Sequence, residues 1–340
     1  MVTPAILAPA LRPGATIAVV STSWQGLAAL PARADRAVSA LQRLGYQVRL
    51  MPHARDDGDG FRDWVAGTAQ SRAADLHQAF ADPEVGLVLS AIGGNHSAHL
   101  LEHLDLDLVA ANPKPLCGYS DTTTLLHAIH ARTGLVTFYG PALLPEFGEI
   151  GGPDAEVVEH FLAMLTQPVA AGPVPAVHWQ SDEDRRESDA AGRARTRHEG
   201  EPRVSLRAGA AEGPLLAGCL PCLRNLAGTE YEPSYDGRIL LVEPPEAPYD
   251  VQCADADLTW LRNSGRITHI AGLAVGRTDG WTSGQRDQLH RCVLEAVRDR
   301  DIPVLAGVEC THSAPLLTFP IGVPATLSGR ELRLDGPAVA

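Results

Sequence analysis

The 340-residue chain has no uninterrupted apolar stretch near the ~18 residues that a membrane-spanning helix needs. Its N-terminus, MVTPAILAPALRPG, has no positive charge before a short apolar run that prolines interrupt. No targeting segment is read there, and the cytoplasm is the expected location. Basic residues are in deficit: 28 Lys and Arg against 41 Asp and Glu leave a net charge of −13. Nucleic acids and anionic membranes are held through basic patches that displace counterions, so neither is expected as a partner. Cysteine is dilute, and 6 thiols in this length argue against a disulfide scaffold. The one C-x-x-C pair, CLPC at Cys219 to Cys222, has no second pair to complete a structural zinc site. Buried reduced thiols are the plainer reading, and neither a metal nor a cofactor is expected. Gly93-Gly94 lacks the rest of a G-x-G-x-x-G fingerprint, which argues against a dinucleotide site. No internal repeat is present.

What the chain does have is alternation. TIAVVST (Thr16 to Thr22) reads as a buried strand, PARADRAVSALQRLG as a helix ended by Gly45, YQVRLM as a strand and RAADLHQAFAD as a helix. VGLVLSAI, the helix HSAHLLEHL, the strand PLCGYS, a helix from Asp121 to about Thr133 and the strand VTFYGP continue the series. This pattern predicts an α/β fold with a flavodoxin-like, doubly wound parallel sheet, whose sites gather at the carboxyl ends of strands. Gly93-Gly94 and Ser120 occupy such ends. Residues 181–203, SDEDRRESDAAGRARTRHEGEPR, are dense in both charges and almost without apolar side chains, as in a linker or mobile excursion. RILLVEP, ADADLTWLRNSG, ITHIAGLAVG, GQRDQLHRCVLEAVRDR and PVLAGVE then form a second α/β series. The expected division is 1–167, a nucleophile-bearing domain; 168–212, a polar interdomain segment; and 213–340, a C-terminal domain.

CGYSDTTTLLHAIH, from Cys117 to His130, runs from a strand through a sharp turn into a helix. Such a turn serves equally to cap the helix or to expose a nucleophilic serine where helix N–H groups face developing negative charge. GYSD lacks the second glycine of the usual hydrolase elbow. A serine nucleophile needs a base, and the base needs an orienting group. Most of the 13 histidines, including His127, His130 and His160, sit in helical, charged surroundings that suggest surface or boundary positions. His312 follows a buried strand in GVECTHSAPLLTFPIG, and Glu243 ends the apolar strand RILLVE. By residue pattern alone, an ordinary loop histidine and a solvated strand end are the plainer readings, with the catalytic ones open beside them.

Several long blocks in order resemble the LD-carboxypeptidase-like serine peptidases, the family that includes muropeptide LD-carboxypeptidases and microcin C immunity proteins. They are LRPGATIAVVSTS, SRAADLHQAFADPEVGLVLSAIGGNHSAHLLEHLD, PKPLCGYSDTTTLLHAIHARTGLVTFYGPAL, GPLLAGCLPCLRNLAGTEYEP, ILLVEPPEAPYDV and PVLAGVECTHSAPLLTFPIGVPATL. The resemblance implies a Ser-Glu-His triad shared by two domains, the second a swivelling, barrel-like α/β unit. Ser120 would be the nucleophile, His312 the base and Glu243 its orienting partner. The N–H groups of Gly94 and Asp121 would form the oxyanion hole. The chain has Thr311-His312 where the family usually has Gly-His, and Ala217-Gly218 where it commonly has Gly-Gly.

AGCLPCLRNLAGT and TFYGPALLPEFGE look more like the microcin C immunity branch. That branch hydrolyses the bond between an acidic aminoacyl group and a non-hydrolysable adenylate. Trp179, flanking the polar segment, is the candidate for stacking on adenine. The resemblance also implies a homodimer acting on a peptide or aminoacyl-nucleotide. The alternatives are an LD-carboxypeptidase acting on muropeptide tetrapeptides and, from another class, a non-catalytic small-ligand-binding protein.

Overall fold

The computed structural model describes residues 5–340, so the first four residues of the N-terminal stretch considered for targeting lie outside it. Strands β1 (Thr16–Val20), β2 (Gln47–Leu50), β3 (Val85–Ser90), β4 (Leu116–Gly118) and β5 (Thr137–Tyr139) form a parallel sheet in the order β5-β4-β3-β1-β2. This is the flavodoxin-like order that the alternating pattern predicts. β1 is buried along its whole length, which suits a central strand covered on both faces. Each fully buried Val or Ile contributes roughly 1.5–3 kcal/mol. β2, at the sheet edge, is only partly covered.

The helices start and stop where local chemistry directs. α1 (Pro31–Arg43) has proline in its first turn. α2 (Ala69–Ala81) is capped by Thr68, whose hydroxyl accepts from the Ser71 N–H at 3.0 Å. α3 (Thr123–Thr133) follows Ser120 after one 3-10 turn and ends at Gly134, which has φ +79°. α4 (Ala155–Thr166) completes the first unit.

The polar segment read as a linker has structure of its own. After β6 (Gly172–Pro173) come β7 (Trp179–Gln180), α5 (Arg185–Ala191), β8 (His198–Glu199) and β9 (Val204–Arg207), with β7 and β8 paired antiparallel. Ion pairs stand in for an apolar core here. Arg33, 3% exposed, bonds Glu149 at 2.9 Å and Asp189 at 3.0 Å, and Arg195 lies 3.1 Å from Glu149. Ser181 and Ala314 exchange backbone hydrogen bonds of 3.0 and 3.1 Å. The segment is thereby tied to both halves of the molecule.

The second sheet uses β10 (Ala210–Cys219), β11 (Ile239–Glu243), β12 (Gly272–Gly276) and β13 (Val304–Val308) as a parallel centre. Helices α6 (Val251–Asn263) and α7 (Ser283–Ala296) connect these strands, the latter started by a Thr282–Gln285 capping box. After β13 the chain leaves this sheet: β14 (Phe319–Ile321) pairs antiparallel with β5, placing Phe319 opposite Tyr139. β15 (Pro324–Ser328) and β16 (Glu331–Leu334) return to complete the eight-stranded order β6-β16-β15-β10-β11-β12-β13-β9. Of the expected division 1–167, 168–212 and 213–340, the boundary at 212/213 falls within β10, and β14 extends the first sheet.

α3 lies between the two sheets and positions the site. Thr123 Oγ1 accepts from Cys219 N at 3.0 Å, His127 Nε2 meets the Ala217 carbonyl at 2.7 Å, and Asn225 donates to Thr124 Oγ1 at 3.0 Å. A methyl group on Gly218 would come within 2.7 Å of Thr123 Cγ2, so the glycine permits this close approach. His127, His130 and His160 are therefore buried, at 0%, 4% and 7% exposure, rather than at the surface as their polar neighbours suggested. The second unit covers the outward face of α3, and burial pushes the His127 and His130 imidazoles down to about 4. Among the described residues no helix is long and apolar enough to cross a membrane.

Candidate active site

The carboxyl ends of β1, β3 and β4 converge on one cavity of about 570 Å³. Trp24, Gly93, Gly94, Tyr119 and Ser120 line it from the first unit, and Glu246, Asp279 and His312 from the second. The GYSD turn holds Ser120 in a left-handed backbone conformation. With φ +58°, it is the one non-glycine residue with positive φ among the described residues. Holding an L-residue there costs about 1–3 kcal/mol, and such strain is a mark of functional turns. The neighbouring turn is fitted to it: a methyl group on Gly93 would lie 2.7 Å from Ser120 Cβ and 3.3 Å from Asp121 N. Gly94 has φ +144°, a backbone conformation open chiefly to glycine.

The Asp121 side chain has a different task from its N–H. It is 1% exposed, and its Oδ2 accepts from His96 N at 2.7 Å and Ser97 N at 2.8 Å, at the start of the 3-10 helix Ser97–His103. Ser97 Oγ donates to the Asp121 carbonyl at 2.6 Å. These bonds lock the Gly93-Gly94 turn against the start of the serine helix.

Glu243 and His312 meet in the second unit. Glu243, 0% exposed at the end of β11, lies 2.8 Å from His312 Nδ1 through Oε1 and 2.9 Å through Oε2. Tyr139, from β5, donates its hydroxyl to Glu243 Oε1 at 2.5 Å and accepts from Ser120 N at 3.3 Å. It thereby joins the serine turn to the carboxylate across the interdomain seam. Tyr119 packs edge-on to the His312 ring, with centroids 5.0 Å apart. The other ring nitrogen, Nε2, is buried without a hydrogen-bond partner and lies 3.2 Å from Glu246 Oε2 without hydrogen-bond alignment. Burial pulls the His312 imidazole down, but Glu243, Glu246 and Asp279 together reverse this and push it up to about 9. Asp279 is itself pushed up to about 6 by burial, with Arg185 opposing.

Ser120, Gly94 and His312 thus face one cavity, with Glu243 behind His312. Trp179, expected to stack on substrate, does not line this cavity. It lines two other cavities, of about 500 and 180 Å³. Its indole N–H donates to Glu156 Oε1 at 3.1 Å, and the Arg197 guanidinium lies over its ring at 3.9 Å. Proximity to the polar segment in sequence did not translate into proximity to Ser120. The tryptophan on this cavity is Trp24, with Arg186 of α5 at 5.9 Å from its ring centre.

Sequence reading did not find Trp24, Tyr139, Glu246 or the arginines of the cavity wall. A tyrosine at the carboxyl end of a strand and a tryptophan just beyond β1 were the available signals. Arg33, Arg185 and Arg195 engage Glu146, Glu149 or Asp189, and Arg185 also donates to the His312 carbonyl at 3.1 Å. Arg186 makes no ion pair among the described residues and is exposed at the rim.

Two family models match the chain: the LD-carboxypeptidase N-terminal domain over residues 17–140 and the LD-carboxypeptidase C-terminal domain over residues 212–327. YocD of Bacillus subtilis is 35% identical over 288 residues, covering 84% of this chain and 85% of that protein. The microcin C7 self-immunity protein MccF of Escherichia coli is 30% identical over 323 residues, covering 94% and 92%. The solved structure of MccF in complex with aspartyl sulfamoyl adenosine is 28% identical, covers 98% of this chain and 100% of that chain, and superposes with a TM-score of 0.88.

Proposed function

The chain belongs to the LD-carboxypeptidase family of serine peptidases, and from that premise we propose that it hydrolyses the amide-like bond between an acidic aminoacyl group and an adenylate analogue. As a member of a peptidase family it is a hydrolase. The observation that carries the reading is the buried Glu243–His312 pair opening onto the same cavity as Ser120 in its left-handed turn.

In this mechanism Ser120 Oγ attacks the acyl carbon while His312 Nε2 takes the hydroxyl proton. Glu243 holds Nδ1 protonated and stabilises the imidazolium that forms. The N–H groups of Gly94 and Asp121 receive the oxyanion; such a donor is typically worth ~100-fold or more in rate. Collapse expels the nucleotide portion, to which His312 returns the proton, and leaves an acyl-enzyme on Ser120. Water, activated by the same imidazole, then releases the amino acid. Trp24 offers a face for a planar base, and Arg186 the unpaired positive charge that an acidic acyl group requires. The bound ligand of MccF, aspartyl sulfamoyl adenosine, supports this substrate class.

The second reading is removal of a terminal D-residue from a muropeptide tetrapeptide. A relative supports it: the probable murein peptide carboxypeptidase of Bacillus subtilis is 30% identical over 326 residues, while the carboxylates of Asp182, Asp184, Glu246 and Asp279 on the cavity wall would suit the free amine that either substrate carries. On either reading the protein would act in the cytoplasm as a homodimer. Mass spectrometry of products separates the two when the enzyme meets aspartyl sulfamoyl adenosine and an L,D-linked tetrapeptide, each beside Ser120→Ala. Release of sulfamoyl adenosine by wild type alone supports the first reading, and loss of D-alanine supports the second. Turnover of either substrate by Ser120→Ala at the wild-type rate refutes the serine mechanism.

A further inference from the structure

β10 and β11 pair in parallel with Cys219 opposite Glu243, at the ends of the two strands. The Cys219 sulfur, a Glu243 oxygen and a His312 nitrogen all lie within 4.8 Å of one another, and all three residues are buried. The hydrolytic mechanism makes no use of this thiol. Among the described residues it forms no disulfide. Thiolate, carboxylate and imidazole are the donor types of a tetrahedral zinc site. An ion holding them at about 2.0–2.3 Å sets neighbouring donors roughly 3.3–3.8 Å apart, so movement of about 1 Å closes the set. His312 Nε2, the nitrogen that serves Ser120 in the hydrolytic reading, is buried without a hydrogen-bond partner, so an ion that engages this imidazole engages the base itself.

We propose that Cys219, Glu243 and His312 form an inhibitory site for a thiophilic divalent cation such as zinc, which silences the hydrolase by occupying the imidazole and carboxylate that serve Ser120. Binding releases the thiol proton and the imidazolium proton. A dipositive ion then sits with one thiolate, one carboxylate and a neutral imidazole, a set with no net charge and therefore suited to burial. Magnesium and calcium, which demand several hard oxygen donors, do not fit. Inhibition rests on the roles given above to His312 and Glu243, whereas binding rests on the three donor atoms alone.

The test uses the full chain stripped of metal by chelator, with Cys219→Ser and Cys219→Ala checked for fold by circular dichroism. Cobalt(II) is titrated as a spectroscopic probe, and zinc chloride is titrated against turnover of whichever substrate is cleaved. Wild type is expected to show thiolate-to-cobalt charge-transfer absorption and to lose activity with zinc but not with magnesium. Both variants are expected to lose the absorption. Relative to their own zinc-free rates, they should need more than about tenfold more zinc for the same inhibition, since even an indirect ligand contact is worth that much. The proposal is overturned if wild type shows no thiolate band, or if the variants retain wild-type zinc sensitivity. If neither substrate is turned over, the hydrolytic reading fails separately, and the cobalt spectrum still decides the metal site.

Discussion

At position 93 a methyl group has no room. It would sit 2.7 Å from Ser120 Cβ and 2.9 Å from Ser120 Oγ. Both contacts involve the side chain of the proposed nucleophile, and the 3.3 Å approach to Asp121 N falls on the proposed oxyanion donor. Gly93→Ala is expected to cost ~100-fold or more in kcat/KM, about the effect of losing an oxyanion donor. The overlap should also cost about 1–3 kcal/mol of stability, as overpacking does. A wild-type kcat/KM in the folded variant would show that the glycine serves packing alone.

His312 makes a second prediction at this scale. Its imidazole is pushed up to about 9, and only the neutral form can accept the Ser120 proton. The free enzyme's kcat/KM should therefore rise with pH through a midpoint near 9 and level off above it. Glu246 stands 3.2 Å from Nε2 and is one of the causes of the raised value. Glu246→Gln should move the limb to lower pH and raise activity at pH 7. An unchanged profile would show that Glu246 does not act on the imidazole. Glu243→Gln would also lower the pKa, but it should lose most activity because the orienting charge is gone.

At the scale of elements, α3 carries Ser120 at one end and presses on β10 along its side. Gly218→Ala inserts a methyl group 2.7 Å from Thr123 Cγ2 and 3.2 Å from His127 Nε2. Overpacking of this kind typically costs 1–3 kcal/mol, here about that amount by urea unfolding, with activity reduced because Thr123 Oγ1 bonds the Ser120 carbonyl at 2.6 Å. Wild-type stability and activity in this variant would mean the interface relaxes freely.

The parallel strands were legible because TIAVV and VGLVLS are continuous apolar runs that only a doubly covered sheet accommodates. The buried histidines of α3 were not legible: periodicity reports one apolar face, and the cover on the other comes from strands some 90 residues away, such as Ala217 on His127. α5 was missed for a related reason. It is held by Arg33, Arg36 and Asp189 rather than by apolar burial, and ion-pair partners 153 residues apart leave no local pattern. β14 joins the first sheet as an edge partner of β5, a pairing set by tertiary placement of a three-residue strand. Within the site, Ser120, Glu243 and His312 were nameable from motif blocks. Trp24 and Arg186 were not, because neither belongs to a patterned stretch.

For the whole molecule, the two units meet through groups that titrate. A histidine whose folded value is raised from 6.5 to about 9 adds stability that is fully present below 6.5 and is lost as pH rises through about 9. The melting temperature of wild type should therefore fall between these values by more than that of His312→Asn. Equal falls would assign the change to other groups. The acidic balance of the chain, −13 overall, continues onto the cavity wall, where carboxylates accompany four arginines. Removing the unpaired one, Arg186→Ala, should raise KM for an acidic aminoacyl substrate with kcat little changed, as expected for a group that binds substrate and transition state alike. An unaltered KM would show that Arg186 does not hold the acidic group.

The central claim, that Ser120 is a nucleophile served by His312, is tested most directly by intact-mass and peptide mapping after exposure to a fluorophosphonate. One adduct is predicted, on Ser120, absent from Ser120→Ala and formed far more slowly by His312→Ala. Labelling at another residue, or equal rates with and without the imidazole, would contradict it.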